Sequence, residues 1–348
     1  MTIERGKKET KASAVNPQKN GDNEAFENQL RPKSFDQYIG QGEVKKNLQV
    51  FVEAAKKRGE ALDHTVFYGP PGLGKTTLAM ILANTMGSDL RVTSGPALEK
   101  PGDLISILTN LQAGDFLFID EIHRLRTPIE EVLYSAMEDF AVDIVVGKGP
   151  SARTMRLEVP RFTLVGATTK MSLLSGPLRD RFGYVEKLRF YEPVELEEIL
   201  TRSAKILDIT IDKVAAKKLS RSCRKTPRIA NRLLKRMRDF AEILHAGHIS
   251  EPVVNQGLDS LGVDHLGLDY ADQQILEAIC QKFSGGPVGL STLASAIGED
   301  EATIEEVIEP FLIQEGLLQK TPRGRTATEK AFQHLGLEFS AKKQTTLM

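Results

Sequence analysis

The sequence predicts an α/β fold built on a mostly parallel sheet, followed by a small helical domain and a winged helix. From about residue 43, short apolar runs such as "HTVFYG", "DFLFIDE" and "RFTLVGATT" alternate with amphipathic stretches. This alternation is typical of parallel strands that are covered by helices on both faces. After "FYEPVE" the pattern is helical only, and towards the end three helical stretches precede two short arms around "PRGR". That last order of elements is the order in a winged helix.

The order of the elements divides the chain into four segments. Residues 1–27 are polar and lack the apolar run of a secretory signal, so we expect a disordered tail. Residues 28–191 form the predicted α/β domain, with a β-hairpin inserted at about residues 141–160 around "GKGP". Residues 192–262 form the predicted helical domain, and residues 263–348 form the predicted winged helix.

The composition is that of an ordinary globular protein without strong overall charge. Hydrophobic residues make up 41% of the 348 residues, and no apolar run is long enough to cross a membrane. The 46 Lys and Arg residues nearly balance the 47 Asp and Glu residues, so any nucleic acid must be bound by a local basic patch. The two distant cysteines, Cys223 and Cys280, form no disulfide framework or metal spacing and indicate a reducing, cytoplasmic environment.

The most specific motif is "GPPGLGKTT", which lies between the first predicted strand and the helix that follows it. Gly69, Gly74, Lys75 and Thr76 match G-x-x-x-x-G-K-[ST], the pattern of a phosphate-binding loop. These two glycines and Gly72 let backbone N–H groups point at phosphate oxygens, and the helix adds its positive end. The sequence therefore predicts a site for a nucleoside triphosphate.

Side chains of this loop and of the next apolar strand predict hydrolysis with Mg²⁺. Lys75 can reach the β- and γ-phosphates, the Thr76 hydroxyl can coordinate Mg²⁺, and Thr77 adds a phosphate contact. The run "FLFIDE" puts Asp120 and Glu121 at the carboxyl edge of the sheet, where ligands bind in open α/β folds. We expect Asp120 to hold Mg²⁺ and Glu121 to polarise the attacking water.

Two further stretches offer groups for the charge that develops on the departing γ-phosphate. Thr168 and Thr169 end the buried run "RFTLVGATT", so either hydroxyl can orient the attacking water. Arg179 and Arg181 follow a Gly-Pro break and can project from a subunit edge as arginine fingers. For either arginine taken alone, a surface salt bridge explains the sequence equally well.

Two more polar residues lie near these motifs. Arg228 follows Pro227 at the start of a helix in the second domain, from which it can reach back to the nucleotide. Most of the basic residues around it, Arg224 among them, fit a solvated helix face or a subunit interface. His123 follows the paired carboxylates, but a single histidine there is more often structural, so we assign it no role.

Together these motifs resemble the AAA+ ATPases, and more closely the bacterial motors that drive branch migration of Holliday junctions. The resemblance extends from residue 28 to about residue 337, through "LRPKSFDQYIGQ", "LFIDEIHRL", "EEVLYSAMEDF", "SGPLRDRFG", "TPRIANRLLKR" and "QKTPRGR". It implies an AAA+ P-loop core with a parallel sheet, a small helical lid domain and a C-terminal winged-helix domain. It also implies a homohexameric ring that uses ATP and Mg²⁺ on double-stranded DNA and Holliday junctions. The implied partners are a RuvA-like junction-binding protein and a junction resolvase.

The resemblance also implies roles for individual residues. Arg181 corresponds to a finger that acts on the ATP of the neighbouring subunit, Thr168 or Thr169 to the first sensor, and Arg228 to the second. The residues implied to contact the nucleotide elsewhere are Leu30, Arg31, Tyr38, Ile39, Glu138, Asp139, Phe140 and Tyr191. The apolar residues implied to dock the junction-binding partner are Ile144, Val145 and Val146. A self-packed hairpin is the alternative for these three.

The charge of the C-terminal unit argues against its third helix as a reader of DNA. Residues 265–348 contain 12 acidic and 7 basic residues, and four of the acidic residues lie on that helix, where the phosphates of a groove would repel them. We instead expect Lys320, Arg323 and Arg325, on the two arms, to contact phosphates without reading sequence. An ordinary charged hairpin is the alternative. The four glutamates are Glu301, Glu305, Glu306 and Glu309.

Other functions share part of this pattern. A clamp loader is also an AAA+ machine, but the winged C-terminus and the apolar hairpin favour the branch-migration motor. A DNA-binding regulator that uses ATP only as a conformational ligand would not need Glu121, Thr169 and Arg181 together. A protein-remodelling ATPase would be stimulated by polypeptide and not by DNA.

Overall fold

The computed structural model describes residues 26–146, 153–245 and 247–339. The chain divides into two units, residues 1–31 and residues 32–348. In the first unit residues 26–30 are helical, so the predicted disordered tail is too long by at least its last two residues. The rest of that tail lies outside the described residues.

A five-stranded parallel sheet forms the centre of the α/β domain, as the sequence predicts. The domain has seven strands: β1 (Thr65–Tyr68), β2 (Leu90–Ser94), β3 (Phe116–Asp120), β4 (Ala141–Val146), β5 (Arg153–Glu158), β6 (Thr163–Thr168) and β7 (Tyr184–Lys187). Five of them form the sheet in the order β2-β3-β6-β1-β7, with every pair parallel. Because β1 lies between β6 and β7, the last residue of β1, Tyr68, pairs with Thr168 of β6.

Helices cover both faces of this sheet. Alternate residues of β3 belong to different hydrophobic clusters: Phe116 and Phe118 pack on one face, and Leu117 and Ile119 pack on the other. This double burial explains why the strands are apolar without alternation. The predicted α/β class is therefore confirmed. The helices are α1 (Gly42–Arg58), α2 (Lys75–Met86), α3 (Pro101–Thr109), α4 (Thr127–Glu138) and α5 (Gly176–Arg179), with short 3-10 turns at Phe35–Gln37, Gly95–Ala97, Ile122–Arg124 and Met171–Leu173.

Strands β4 and β5 pair with each other in an antiparallel hairpin outside the main sheet. Ile144 is half-buried and lies opposite Met155, which is exposed. The side chains of Val145 and Val146, and the turn of residues 147–152, lie outside the described part of the chain. Of the three residues predicted to dock a partner, the structure therefore locates the side chain of Ile144.

The second domain is mainly helical, and its inner face belongs to the same hydrophobic cluster as one face of the sheet. The prediction of helices alone was incomplete, because two short segments pair as parallel strands. The helices and strands are α6 (Pro193–Ile206), β8 (Thr210–Ile211), α7 (Lys213–Arg221), α8 (Pro227–Leu244), β9 (His248–Ile249) and α9 (Glu251–Ser260).

The third domain has the predicted winged-helix order, with one more helix at its end. Its wing is a β-hairpin with a two-residue turn, and Val288 pairs with Arg325 along its outer edge. Within the described residues, no helix of the protein has the length and apolar character needed to cross a bilayer. The elements are α10 (Tyr270–Glu277, continued by a π turn at Ala278–Lys282), α11 (Leu290–Ile297), α12 (Glu301–Thr303), a π turn at Ile304–Ile308, α13 (Glu309–Gln314), β10 (Leu318–Thr321), β11 (Gly324–Ala327) and α14 (Glu329–His334).

A buried ion pair joins the second and third domains. Arg224 is 8% exposed and lies 3.0 Å from Asp272 and 3.1 Å from Asp269, with its guanidinium over the ring of Phe311. Burial raises the pKa of Asp272 to about 7, and the charge of Arg224 opposes that shift. Arg224 therefore does not belong to a solvated basic face.

Candidate nucleotide site and DNA-contacting wing

The loop between β1 and α2 has a backbone that requires its glycines. Gly69, Gly72 and Gly74 all have positive φ angles, of 138°, 81° and 98°. A Cβ on Gly69 would lie 2.8 Å from the carbonyl oxygen of Leu188, and a Cβ on Gly72 would lie 3.1 Å from Cβ of Arg228. The loop is therefore packed closely against its neighbours at Gly69 and Gly72, so a side chain at either position would clash.

Lys75 contacts the backbone of its own loop. Its Nζ donates to the carbonyl oxygens of Gly69 at 2.7 Å and Pro70 at 2.9 Å, and the side chain is 8% exposed. Burial lowers the pKa of Lys75 to about 8, and the negative charge of Asp120 opposes that shift. Triphosphate oxygens can replace the two carbonyls. Thr76 and Thr77 follow in the first turn of α2 and are half-buried.

Two tyrosines line the loop on its other side. The hydroxyls of Tyr38 and Tyr191 lie 3.1 Å apart, and the hydroxyl of Tyr191 donates to the carbonyl oxygen of Leu73 at 3.3 Å. Burial raises the pKa of both, to about 12 for Tyr191. Ile39 follows Tyr38 and is half-buried. The adenine contacts of Leu30 and Arg31 remain predictions, because these residues belong to the unit of residues 1–31.

The two carboxylates at the end of β3 have different surroundings. Asp120 accepts a hydrogen bond from the backbone N–H of Glu121 at 3.0 Å. Glu121 has a left-handed backbone with φ 47°, which turns the chain sharply after the strand. Its carboxylate accepts from Arg124 Nη1 at 2.8 Å. Catalytic use of Glu121 therefore requires the release of an exposed arginine.

The two threonines at the end of β6 are held by residues that are distant in the sequence. Thr168 is buried, its Oγ1 lies 2.9 Å from His123 Nδ1, and its carbonyl oxygen accepts the N–H of Gly69 at 3.2 Å. Thr169 is half-buried and its hydroxyl lies 3.5 Å from Glu306 of the third domain. Burial lowers the pKa of His123. His123, to which the sequence gave no role, is thus the side-chain partner of a candidate sensor.

The structure brings one set of predicted residues together around the loop. Arg228 begins α8 and packs against Gly72, and Thr226 caps the same helix by accepting the N–H of Ile229 at 3.4 Å. The positive charge of Arg228 contributes to the lowered pKa of Lys75. The members of this set are Tyr38, Gly69, Gly72, Gly74, Lys75, Asp120, Glu121, Thr168, Tyr191 and Arg228.

A second set lies at the opposite edge of the sheet. Arg181 precedes β7 by three residues, and its Nη2 donates to Glu138 at 2.9 Å. The neighbouring carbonyl oxygen of Met137 lies 3.3 Å from His64, which precedes β1. Asp139 and Phe140 continue the chain from Glu138. Parallel strands share their direction, so this set lies at the amino edge, one strand length of about 13 Å from the loop.

The wing presents its three predicted cations differently. Arg323 is exposed at the turn and forms no ion pair with any described residue. Lys320 is half-exposed and lies 3.1 Å from Glu305. Arg325 is 8% exposed, and its Nε and Nη2 both donate to Glu309, which is buried. The three residues were predicted to contact phosphates, and of these Arg325 is buried, because its strand is covered by Val288 and the third helix.

Three models of protein families match consecutive parts of the chain. They describe the Holliday junction DNA helicase RuvB P-loop domain over residues 30–188, the RuvB AAA lid domain over residues 191–264, and the RuvB C-terminal winged helix domain over residues 265–336. The candidate nucleotide site spans the first two, and the wing belongs to the third.

Known proteins match over nearly the whole length. The Holliday junction branch migration complex subunit RuvB of Rubrobacter xylanophilus is 55% identical over 342 residues, which cover 97% of this chain and 96% of that protein. The structure of the Thermotoga maritima RuvB Holliday junction branch migration motor is 49% identical, with a TM-score of 0.82 over 90% of this chain and 100% of that chain. A mutant of the same protein is 50% identical, with a TM-score of 0.83 over 89% and 99%. The chain belongs to the RuvB family of AAA+ motors.

Proposed function

We propose that this chain hydrolyses ATP at sites shared between neighbouring copies in a homohexameric ring and uses the energy to drive branch migration of Holliday junctions. Family membership supports the ATPase and branch-migration activity. The observation that supports shared sites is the separation between the phosphate loop and Arg181, which lie at opposite edges of one sheet.

This separation excludes Arg181 from the nucleotide of its own chain. Arg181 donates to Glu138 and to the carbonyl oxygen of Pro177 at 2.7 Å, and both contacts lie at the amino edge. In a ring, the amino edge of one copy can face the carboxyl edge of the next. Arg181 would then stabilise the departing γ-phosphate of its neighbour, with Glu138, Asp139 and Phe140 at the same junction.

Residues around the loop supply the remaining chemistry. Lys75 would exchange the carbonyls of Gly69 and Pro70 for phosphate oxygens, and Glu121 would accept the proton of the attacking water. The Thr76 hydroxyl and the Asp120 carboxylate are hard oxygen donors, which suit Mg²⁺. The chemistry that this ion supplies is neutralisation of phosphate charge. Thr168 or Thr169 would orient the attacking water.

The wing would contact the DNA backbone without reading its sequence. Arg323 is exposed and Lys320 is half-exposed, and the Nη1 of Arg325 forms no hydrogen bond within the described chain. Contacts to phosphate carry no sequence information, which suits a motor that moves along any duplex.

The hairpin of β4 and β5 would dock a RuvA-like junction-binding protein. Ile144 and the exposed Met155 face each other across its two strands and form an apolar surface outside the sheet. A junction resolvase would act after migration. The cytoplasmic location in this proposal is consistent with Cys223 and Cys280, which are free and buried.

Mixed rings test the shared site. Arg181→Ala should lower ATP turnover by about a thousandfold or more, and Glu121→Gln should lower it by about a hundredfold or more. In a mixture, an Arg181→Ala copy keeps its own Glu121 and receives Arg181 from a Glu121→Gln neighbour, so hydrolysis should partly return. Mixed rings that form but stay inactive would show that Arg181 acts within its own chain or only structurally. Arg179→Ala is the matched control, because Arg179 is exposed beside Asp180 and should tolerate the change.

A further inference from the structure

The third helix of the winged-helix domain lies against the end of strand β6. We call this helix, from Glu301 to Gln314 through its central π turn, the acidic helix. Lys170, the residue after Thr169, places its Nζ 3.0 Å from Glu305 and 3.1 Å from Glu306. Hydrogen bonds to Glu305 and then to Glu306 raise the pKa of Lys170. Two of the glutamates that disfavour insertion into DNA therefore bind the ATPase domain.

The same acidic helix holds the cations of the wing. Lys320 lies 3.1 Å from Glu305 and 3.8 Å from Glu309, and Arg325 is paired with Glu309. Glu305 is therefore shared between Lys170 of the ATPase domain and Lys320 of the wing. Hydrogen bonds from Lys170 and then from Lys320 lower the pKa of Glu305. Glu305, Glu306 and Glu309 thus form one row of carboxylates, which we call the carboxylate row, and this row connects the ATPase domain with the wing.

This row continues to the nucleotide loop. The hydroxyl of Thr169 points to Glu306 at 3.5 Å, and the backbone N–H of Lys170 donates to Oγ1 of Thr168 at 3.0 Å. The carbonyl oxygen of Thr168 in turn accepts the N–H of Gly69. A charge that arrives at the wing is therefore linked to the phosphate loop through a short series of direct contacts.

The backbone of the acidic helix favours this arrangement. Pro310 has no N–H to donate to the carbonyl oxygen of Glu306, and the turn before it, Ile304–Ile308, is π-helical. Glu305 and Glu306 lie next to each other in that wide turn. Adjacent residues on a helix diverge in direction, so one can face Lys320 while the other faces Thr169.

We propose that Lys170 and Glu306 are positioning residues that restrain Thr169 until duplex DNA occupies the wing. The inference rests on the proposed function of the wing as the DNA contact. Phosphates bound at Lys320 and Arg323 would compete with Glu305 for Lys320 and repel the neighbouring carboxylates, which would move the acidic helix away from Lys170 and Thr169. Thr169 would then be free to orient the attacking water. The described residues of the phosphate loop form no hydrogen bond or ion pair with the acidic helix itself, so we expect the affinity for ATP to change little.

A purely structural contact predicts a different outcome from a restraint. If the contact only stabilises the arrangement of the domains, its loss should lower ATP turnover, because the ATPase domain would lose a stabilising contact. A restraint would raise the turnover measured without DNA when broken. Salt separates the two as well, because partly exposed ion pairs weaken as ionic strength rises.

The experiment compares ATP turnover with and without duplex DNA in full-length Lys170→Met and Glu306→Gln proteins. We expect both to raise kcat without DNA by about threefold or more, in line with the loss of partly exposed ion pairs, while KM stays within about twofold. Stimulation by duplex should fall to the same extent. Glu301→Gln is the matched control, because Glu301 is exposed on the same helix, and it should behave as the parent.

Turnover without DNA at or below the parent level in both variants would overturn the inference. A fall in the DNA-stimulated rate alone would also overturn it, because the contact would then be activating. ADP binding checks that each variant is folded. If a variant fails that check, the test is made on the parent protein with added salt. Salt should then raise the ATP turnover measured without DNA, and an unchanged or lower rate would contradict the restraint. If duplex DNA does not stimulate the ATP turnover of the parent protein, the proposed function is refuted. The rates measured without DNA still test the restraint in that case.

Discussion

Nucleotide binding should draw a proton onto Lys75 at mildly alkaline pH. Burial lowers the pKa of Lys75 to about 8, and its ammonium group donates to the carbonyl oxygens of Gly69 and Pro70. Phosphate oxygens carry full negative charge and favour the protonated amine, so the bound state should return the pKa towards its ordinary value near 10.4. Binding therefore takes up protons, and affinity falls as the pH rises through 8.

The lowered pKa of Lys75 sets the size of the effect. With a free pKa of about 8, roughly a tenth of the free protein carries neutral Lys75 at pH 7 and about three quarters at pH 8.5. Uptake should thus rise from about 0.1 proton per nucleotide at pH 7 to about 0.75 at pH 8.5. The same linkage weakens binding about tenfold between pH 7 and pH 9. Tyr38 and Tyr191, whose pKa values are raised, stay protonated in this range, and His123, whose pKa is lowered, stays neutral.

Calorimetric titration with ADP and Mg²⁺ in two buffers of different ionisation enthalpy measures this uptake directly. The observed heats should differ at pH 8.5 and nearly agree at pH 7. Lys75→Arg is the control, because arginine stays charged throughout and should abolish the pH-dependent part. Equal heats in both buffers at pH 8.5 would refute the reasoning, as would an uptake that persists in Lys75→Arg.

Three further changes have defined outcomes. Glu121→Gln should leave ADP affinity within about twofold of the parent and lower turnover by about a hundredfold or more, because only proton transfer is lost. Steady-state phosphate release measures the turnover, and undiminished release would contradict the assignment of Glu121. Arg325→Ala should lower the stability of the winged-helix domain by about 3 kcal/mol, because buried Glu309 loses its closest partner and keeps only Lys320 at 3.8 Å. Exposed Arg323→Ala should change the stability little. Urea denaturation followed by hydrogen exchange distinguishes these, and equal effects would contradict the buried pair. Arg323→Ala should weaken duplex binding equally across sequences and reduce the slope of log affinity against log salt by about one; a loss limited to one sequence would argue against a phosphate contact.

The sequence predicted the fold class and the phosphate loop because both depend on local patterns. The glycines and Lys75 are consecutive, and their chemistry follows from backbone geometry between a strand and a helix. The contact between His123 and Thr168 joins residues 45 positions apart. It follows from strand order and register, which a single sequence does not specify. The sequence signal for His123 was its place in the turn after Asp120 and Glu121. Single histidines in such turns are common, so this position did not assign it a role.

Charge was the least reliable guide in the third domain. Arg325 lies on a two-stranded wing, where a basic residue is expected to face solvent. The structure adds Val288 along the edge of that wing and packs Glu309 beneath it, so the same strand becomes an interior position. For the glutamates of the acidic helix the sequence predicted only that they would avoid DNA, and two of them pair with Lys170 of another domain. Such pairing depends on how domains meet, which local charge patterns do not encode.

Two proposed contacts control the nucleotide site: Arg181 of a neighbouring copy, and Glu306 of the same chain through Thr169. Together they predict the order in which the subunits of a ring hydrolyse ATP. In the proposed ring, Arg181 would report the presence of a neighbouring copy, because it lies at the opposite edge of the sheet from its own loop. The contact of Thr169 with Glu306 reports the state of the wing on the same chain. If both inputs are required, hydrolysis proceeds only in a subunit that has a neighbour in place and DNA on its own wing. A duplex that follows a helical path through a ring reaches the wings one after another and not all at once. The subunits would then hydrolyse ATP one after another without any further control, since the position of the DNA determines in which copy the restraint on Thr169 is released next.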